Sequence, residues 1–224
     1  MKIETPYHEG ELQVQERVGV LDEGAQNSRV IQDSIIKGAL RFINQLPMAV
    51  LGSLDQEQNV WASVFVGRPG FMQAEDEWTV TFDLTTMVKN PHDPFWKNIQ
   101  ENPEVGMLAI ELASRRRLRI NGTISRVSED LLRLHVKESY PNCPKYIQKR
   151  HLTSPLTEFD MTPLSSERGN VLGSPQRTTI TKADTFFVAS VHPGRGVDAS
   201  HRGGNPGFVT IVDDRTLRIP DYPG

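Results

Sequence analysis

The sequence predicts a mainly β protein: an antiparallel barrel with accessory helices, laid down twice along the chain with the second copy incomplete. Three observations predict it. Short apolar runs of strand length alternate with tight polar or Gly/Pro turns, and only a few stretches carry a helical pattern. A segment of 31 residues recurs at a fixed offset of 137, so that Val50–Val80 and Phe187–Leu217 align without a gap. Its 10 identities are Ser53/Ser190, Val60/Val197, Ala62/Ala199, Ser63/Ser200, Gly67/Gly204, Pro69/Pro206, Gly70/Gly207, Phe71/Phe208, Asp76/Asp213 and Thr79/Thr216. So long a period implies a duplicated domain, because solenoid repeats run roughly 20–50 residues. The length of 224 residues also suits two small units, domains being commonly about 100–200 residues.

Taken in order, residues 1–26 are polar and rich in Glu, Gln and Gly, and read as an N-terminal arm. The first barrel domain occupies 27–152. Ser28–Asn44 places Val30, Ile31, Ile35, Ala39, Phe42 and Ile43 close to a 3.6-residue period, which predicts an amphipathic helix ending before Pro47. Met48–Ser53 and Val60–Val66 read as strands joined by the polar turn Asp55–Asn59, Arg68-Pro69-Gly70 as a turn, and Thr79–Leu84 as a further strand. Asp93–Asn102 reads as a short helix stopped by Pro103. Val105–Leu112 and Leu118–Val127 read as strands about the charged turn Arg115–Arg117, the second broken at Asn121-Gly122. Ser128–Lys137 reads as a helix capped by Ser128, and Tyr140–Arg150 is interrupted by two prolines. Residues 153–178, rich in Ser, Thr, Pro and Gly, link to a partial second copy at 179–224, which Thr179–Ala183 opens. That copy lacks everything matching Lys89–Val127. Either the chain is a fragment or the second barrel is incomplete, and truncation is the favoured expectation because half a barrel leaves strand edges exposed.

Bulk properties exclude several classes. No apolar run approaches the roughly 18 residues of a membrane span, and MKIETPYHEGELQVQE has no apolar signal-peptide core. A single cysteine, Cys143, rules out an intrachain disulfide framework and suits a reducing cytoplasm. A net charge of −3 and a pI near 6.1 give no general pull toward nucleic acid or membrane. The local exception is Arg115-Arg116-Arg117 with Arg119, read as a solvated hairpin tip with a minority role in binding a phosphate or an acidic partner.

The segment that carries chemistry lies in the second copy. On a strand, Asp198, Ser200 and Arg202 share one face, with Ala199 and His201 on the other. Arg grips phosphate in bidentate fashion, Ser adds a third bond, and the glycines that follow permit close backbone approach. The equivalent face of the first copy carries Trp61, Ser63 and Phe65, so the serine stays while the charge goes. The alternative reading of these residues is an ordinary surface pair between Asp198 and Arg202.

Here VDASHRGGNPGFVTIVDDRTLRIPDYPG resembles the flavin-binding segment of pyridoxamine 5′-phosphate oxidase-like, FMN-binding split-barrel proteins. The pattern is Asp198/Ser200/Arg202/Gly203, then Pro206–Val209, then Ile219–Gly224. The first copy adds Lys97-Asn98-Ile99, Asn102-Pro103-Glu104-Val105-Gly106 and Leu118-Arg119-Ile120-Asn121-Gly122. The resemblance implies a Greek-key split barrel that pairs with a second barrel, as a homodimer or an intrachain pseudo-dimer, and holds FMN in the groove between them. It further implies flavin contacts at Ser200, Arg202 and Gly203, with Pro220 and Asp221 in the loop alongside, and contributions from Ser63, Lys97 and Asn98 of the first copy. Phe65 in place of the arginine, and Thr81-Phe82-Asp83-Leu84 in place of the Ile-Pro-Asp turn, leave the first copy without a complete site of its own.

The resulting expectation is an FMN-dependent oxidoreductase with a small-molecule substrate or electron donor, coupled to a reductase module. A non-catalytic flavin carrier or interaction barrel is the rival from another class, and haem binding is a third. No catalytic residue is assigned and no metal site is expected: His8 finds no second ligand in the sequence, and His201, on the face opposite Ser200, reads as a packing residue. Cys143, in the stretch NCPKYIQKR that resembles a segment of family members carrying extra redox domains, reads as structural. The sequon Asn121-Gly122-Thr123 goes unused in a cytoplasmic protein.

Overall fold

The computed structural model describes residues 5–151 and 169–222. Strand is the dominant element, at 39% against 22% helix, and the mainly β expectation holds. Eight antiparallel strands curl into a half-barrel: β1 (Met48–Leu54), β2 (Val60–Gly67), β3 (Met72–Ala74), β4 (Thr79–Asp83), β5 (Met87–Val88), β6 (Glu104–Glu111), β7 (Arg116–Ser128) and β8 (Leu131–Pro141). Their order is β3-β4-β8-β7-β6-β1-β2-β5, so three neighbours are not consecutive in the chain: β6 lies beside β1, β8 beside β4 and β5 beside β2. The β1–β2 turn is closed by Asp55, whose carboxylate accepts from the Asn59 amide at 2.8 Å and the Trp61 indole at 2.9 Å. β3 and β5, too short to stand out in the sequence, take the two edges.

The half-barrel closes over a core of Leu51, Phe65, Phe71, Phe82, Met107, Ile120 and Leu134, together with Phe42 and Ile43 from helix α3 (Lys37–Asn44) and Phe95 from helix α4 (Phe95–Glu101). Two local readings are corrected. The helix expected over Ser28–Asn44 forms only in its second half. Ser28–Val30 is a single 3-10 turn, and Gln32 leaves it to exchange backbone hydrogen bonds with Ser139, at 3.0 and 2.8 Å. The segment expected as a helix, Ser128–Lys137, is mostly strand β8. Leu132, Leu134 and Val136 point inward between the exposed Arg133, His135 and Lys137, which is a period of two. The break expected at Asn121-Gly122 is a register shift between β7 and β8, where a Cβ on Gly122 would lie 2.0 Å from the His135 carbonyl oxygen. The arm is helical, with α1 (Glu9–Val18) and α2 (Leu21–Asn27).

The C-terminal part contains α5 (Ser174–Lys182), the hairpin β9 (Thr185–His192) and β10 (Gly196–Gly203), and the two-residue strands β11 (Thr210–Ile211) and β12 (Leu217–Arg218). These elements stand close to 137 residues beyond α3, β1, β2, β3 and β4. The correspondence reaches side chains: a Cβ on Gly67 would press on the Phe71 ring at 2.5 Å, and one on Gly204 would press on Phe208 at 2.7 Å. Gly70 and Gly207 hold φ of 97° and 87°, a backbone that favours glycine. Thr179–Ala183, expected to open the second copy, is the end of α5 and its cap. Most of the expected linker, residues 153–168, lies outside the described residues.

Candidate functional site

The C-terminal hairpin docks on the outer face of the half-barrel, against β1, β6 and β7. Two glycines allow it. A Cβ on Gly106 would lie 2.4 Å from the Asp198 Cα, and one on Gly52 would lie 2.9 Å from a Val197 methyl, so β10 touches the sheet backbone to backbone. Val50, Leu108 and Ile110 from the sheet, Ala199 from the hairpin and Ile147 then form a second apolar cluster that seals the middle of this seam.

Beyond the cluster the seam becomes polar, and the reason is strand alternation. On β7, Leu118 and Ile120 point into the barrel, so Arg117, Arg119 and Asn121 point out toward the hairpin. Antiparallel pairing sets Tyr140 beside Arg119 and Glu138 beside Asn121. Arg119 forms an ion pair with Asp198 of β10 and donates to the Tyr140 hydroxyl at 3.3 Å. Arg195 of the β9–β10 turn pairs with Glu138 at 2.8 Å. Burial pushes the Tyr140 phenol up to about 12, helped by the Asp198 charge. Burial likewise raises the Asp198 carboxyl, more than Arg119 lowers it, and raises Glu138 against the pull of Arg195.

This polar wall bounds a cavity of about 770 Å³, a size that accommodates a cofactor. The arm forms the opposite side through Tyr7, His8 and Glu11, and the hairpin contributes Ser190, His192 and Asp198. Four side-chain atoms of lining residues, Arg119 Nε, Asn121 Oδ1, Asn142 Oδ1 and Asp198 Oδ1, are closed off from solvent with no well-aligned hydrogen bond, although Asn121 and Tyr140 still act on the Asp198 carboxyl as hydrogen-bonding neighbours. Buried polar atoms are normally satisfied, so this concentration marks the wall as the polar side of the cavity. Arg117 ends the row. Its Nε donates to the Cys143 carbonyl at 2.9 Å, and its guanidinium lies 3.4 Å from His201 Nδ1. Burial, then the charges of Arg119 and Arg202, lower its pKa, which places three guanidiniums along one seam.

The residues singled out in the sequence fall into two groups. Ser200 is buried on β10, Arg202 is exposed beside Arg117, and a Cβ on Gly203 would meet the Tyr146 carbonyl at 2.2 Å. Pro220 and Asp221 precede Tyr222, whose ring stacks on Tyr146 at 4.9 Å, so this loop lies on the Gly203 side. Ser63, Lys97 and Asn98 lie toward the other end of the hairpin. Ser63 donates to Asp93 at 2.6 Å, buried Asn98 donates to Ser53 at 2.9 Å, and Lys97 is exposed beside Glu101. Ser53 neighbours Gly52, which meets the hairpin at Val197–Asp198, and Arg202 is four residues, or about 13 Å, further along β10. Asp198 pairs with Arg119, not with Arg202. His201, 3% exposed and set edge-on to Phe187, packs as expected of it.

Sequence reasoning did not reach Glu138, Tyr140, Asn142, His192 and Arg195. The available signal was the outward alternation Arg117-Arg119-Asn121, which the triple-arginine turn obscured. Among the described residues no group of three or more His, Cys, Asp or Glu is placed to hold a metal ion, and no helix is long and apolar enough to cross a membrane.

A family model described as pyridoxamine 5′-phosphate oxidase matches residues 36–162, more than half of the chain. No curated protein matches the sequence significantly. Similar solved structures include HupZ of Group A Streptococcus, 13% identical over 48% of this chain and 94% of that one, with a TM-score of 0.38. An FMN-binding protein of Syntrophomonas wolfei is 10% identical over 57% of this chain and 96% of its own, with a TM-score of 0.35. An FAD-binding protein of Mycobacterium smegmatis is 8% identical over 50% and 99%, with a TM-score of 0.34.

Proposed function

The chain belongs to the pyridoxamine 5′-phosphate oxidase family, and from that premise we propose that its seam cavity binds a flavin, FMN, for an oxidoreductase reaction. The observation that carries the proposal is a cavity of about 770 Å³ at the join between the half-barrel and the C-terminal hairpin, walled by Arg117, Arg119, Asn121, Tyr140 and Asp198. A flavin suits this wall: it would bring ribityl hydroxyls and a ring N–H to Asn121, Asn142 and Asp198, and carbonyl or ring-nitrogen acceptors to Arg119. Arg117, which lines the cavity, would form the cationic end suited to the phosphate monoester together with Arg202 and Ser200, which lie further along β10 beyond the lining.

Bound there, the flavin supplies the electron transfer, and the protein supplies binding, orientation and electrostatics. Arg119 and Arg117 favour negative charge on the ligand. Tyr140, protonated throughout the physiological range, offers a donor. The arm and the hairpin wall the cavity on two sides. The C-terminal unit stands as the partner half of an intrachain pseudo-dimer, and a nicotinamide nucleotide or a reductase module supplies the electrons.

The test is the visible spectrum of the purified protein before and after addition of FMN, FAD and haem. Retention of FMN through desalting supports the assignment. Arg202→Ala, a change at an exposed side chain, should then weaken FMN by about 1–3 kcal/mol, the scale of a lost charge-assisted bond. A folded protein that takes up no flavin overturns the proposal, and a Soret band with haem alone replaces it with haem binding.

A further inference from the structure

The N-terminal arm covers one side of the cavity yet is scarcely anchored to the rest of the molecule. Helix α1 has no buried residue, and α2 buries only Gly24. Val14, Val18, Val20 and Leu21 all face solvent, so apolar packing does not hold the arm down. It behaves as one body nonetheless. His8 caps α1, accepting from the Glu11 amide at 3.3 Å, while the Glu11 carboxylate accepts from the His8 amide at 2.9 Å. Gly19, at φ 75°, turns the chain into α2, and a Cβ on Gly24 would meet the Gln15 side chain at 2.2 Å, so the two helices pack closely.

Among the described residues this body is tied down at two places. At its C-terminal root, Gln32 and Ser139 exchange both backbone hydrogen bonds, which makes the arm continuous with the edge of β8. At the other end the His8 ring stacks on His192 of the hairpin, with centroids 4.0 Å apart and planes 11° from parallel. Between these points Tyr7, His8 and Glu11 form cavity wall. Two firm ends, little burial between them and a cavity beneath are the geometry of a lid.

We infer that residues 5–27 form a lid over the seam cavity, hinged at residues 28–33 and latched by His8 on His192. The latch joins the arm to the hairpin directly across the cavity, so the ligand enters and leaves when the stack parts. His8 and His192 are positioning residues: they govern access to the cavity and take no part in chemistry. The latch itself is independent of what the cavity holds, while the ligand-exchange part rests on the flavin proposal.

The test begins on the ligand-free full chain with amide hydrogen exchange. His192→Ala should speed exchange across residues 9–27 about threefold to tenfold, the worth of one ring stack, and leave β7 and β8 unchanged. His8→Asn repeats the test while keeping a side-chain oxygen that caps α1. Exchange in the arm unchanged in both variants overturns the lid, as does a rise spread over the whole protein. With FMN as the probe, the parent's arm should become protected, and both variants should show association and dissociation rates raised together by severalfold. FMN bound without protection of the arm, or bound and released at unchanged rates, also overturns the lid. FMN that does not bind refutes the flavin proposal alone, and the ligand-free exchange still decides the latch.

Discussion

Acidification tests how the hairpin is seated. His201 is 3% exposed, its Nε2 has no hydrogen-bond partner, and its Nδ1 faces the Arg117 guanidinium. Burial first, then the positive charges of Arg117 and Arg202, pull its pKa from 6.5 down to about 4. The unfolded chain therefore takes up this proton near pH 6.5, and the folded chain takes it up only near pH 4. Between those values the unfolded state binds more protons, so stability is fully present above 6.5 and is lost as pH falls toward 4. The whole shift corresponds to about 3 kcal/mol, of which about 2 kcal/mol is gone by about pH 5. Asp198 and Glu138 oppose it. Their carboxyls are raised by burial, so their protonation on acidification restores some stability. The clean measure is a difference: urea unfolding of the parent and of His201→Gln, each at about pH 7.5 and about pH 5. The parent should lose about 2 kcal/mol more than the variant. Equal losses, within about 0.5 kcal/mol, would refute the claim that His201 is buried neutral in the seam.

Two further predictions concern packing. Gly106→Ala puts a methyl where the Asp198 Cα and the Val197 carbonyl already stand, at 2.4 and 2.6 Å. Backbone cannot yield as a side chain does, so the hairpin must lift, at a cost of about 1–3 kcal/mol or more. Faster amide exchange in β9 and β10 with a lowered melting temperature is the expected result, and an unchanged melt would contradict the docking. Asp93→Ala removes one carboxylate that accepts both the Ser63 hydroxyl at 2.6 Å and the Phe95 amide at 2.9 Å. We expect a loss of about 1–2 kcal/mol in chemical denaturation, partly restored by Asp93→Asn, and a neutral result would remove Asp93 as the link between α4 and β2.

Much of the fold was legible because it is periodic. Strands β1, β2, β4, β6 and β7 announce themselves by apolar runs between turn residues, and Gly67, Gly70, Phe71 and their counterparts carry the same local packing twice. Failures have local causes. Ser128–Lys137 contains adjacent leucines, and Ser128 offered a plausible cap, which hid the alternation of Leu132, Leu134 and Val136. The 3.6-residue pattern over Ser28–Asn44 ran through Gln32, whose pairing with Ser139 is long-range and has no sequence signature. The candidate site was half legible. The face alternation of Asp198, Ser200 and Arg202 marked β10 as chemically loaded. Its partners come from β7, β8 and the arm, residues that only the folded sheet brings together, so spacing along the chain could not name Arg119 or Tyr140 as the groups Asp198 meets.

The hairpin's position also bears on how the chain is made. β1 and β6 are buried on both faces, one face by the barrel and the other by β9 and β10. During synthesis β6 is complete roughly ninety residues before β10, which at ribosomal speeds is on the order of 5–20 s. Throughout that interval Val50, Leu108 and Ile110 form a bare apolar strip, the kind of surface that recruits other nascent chains. The hairpin thus acts as a late-arriving shield. Substitutions that loosen it, Gly106→Ala among them, are expected to lower soluble yield in cells more than their effect on the purified, folded protein implies.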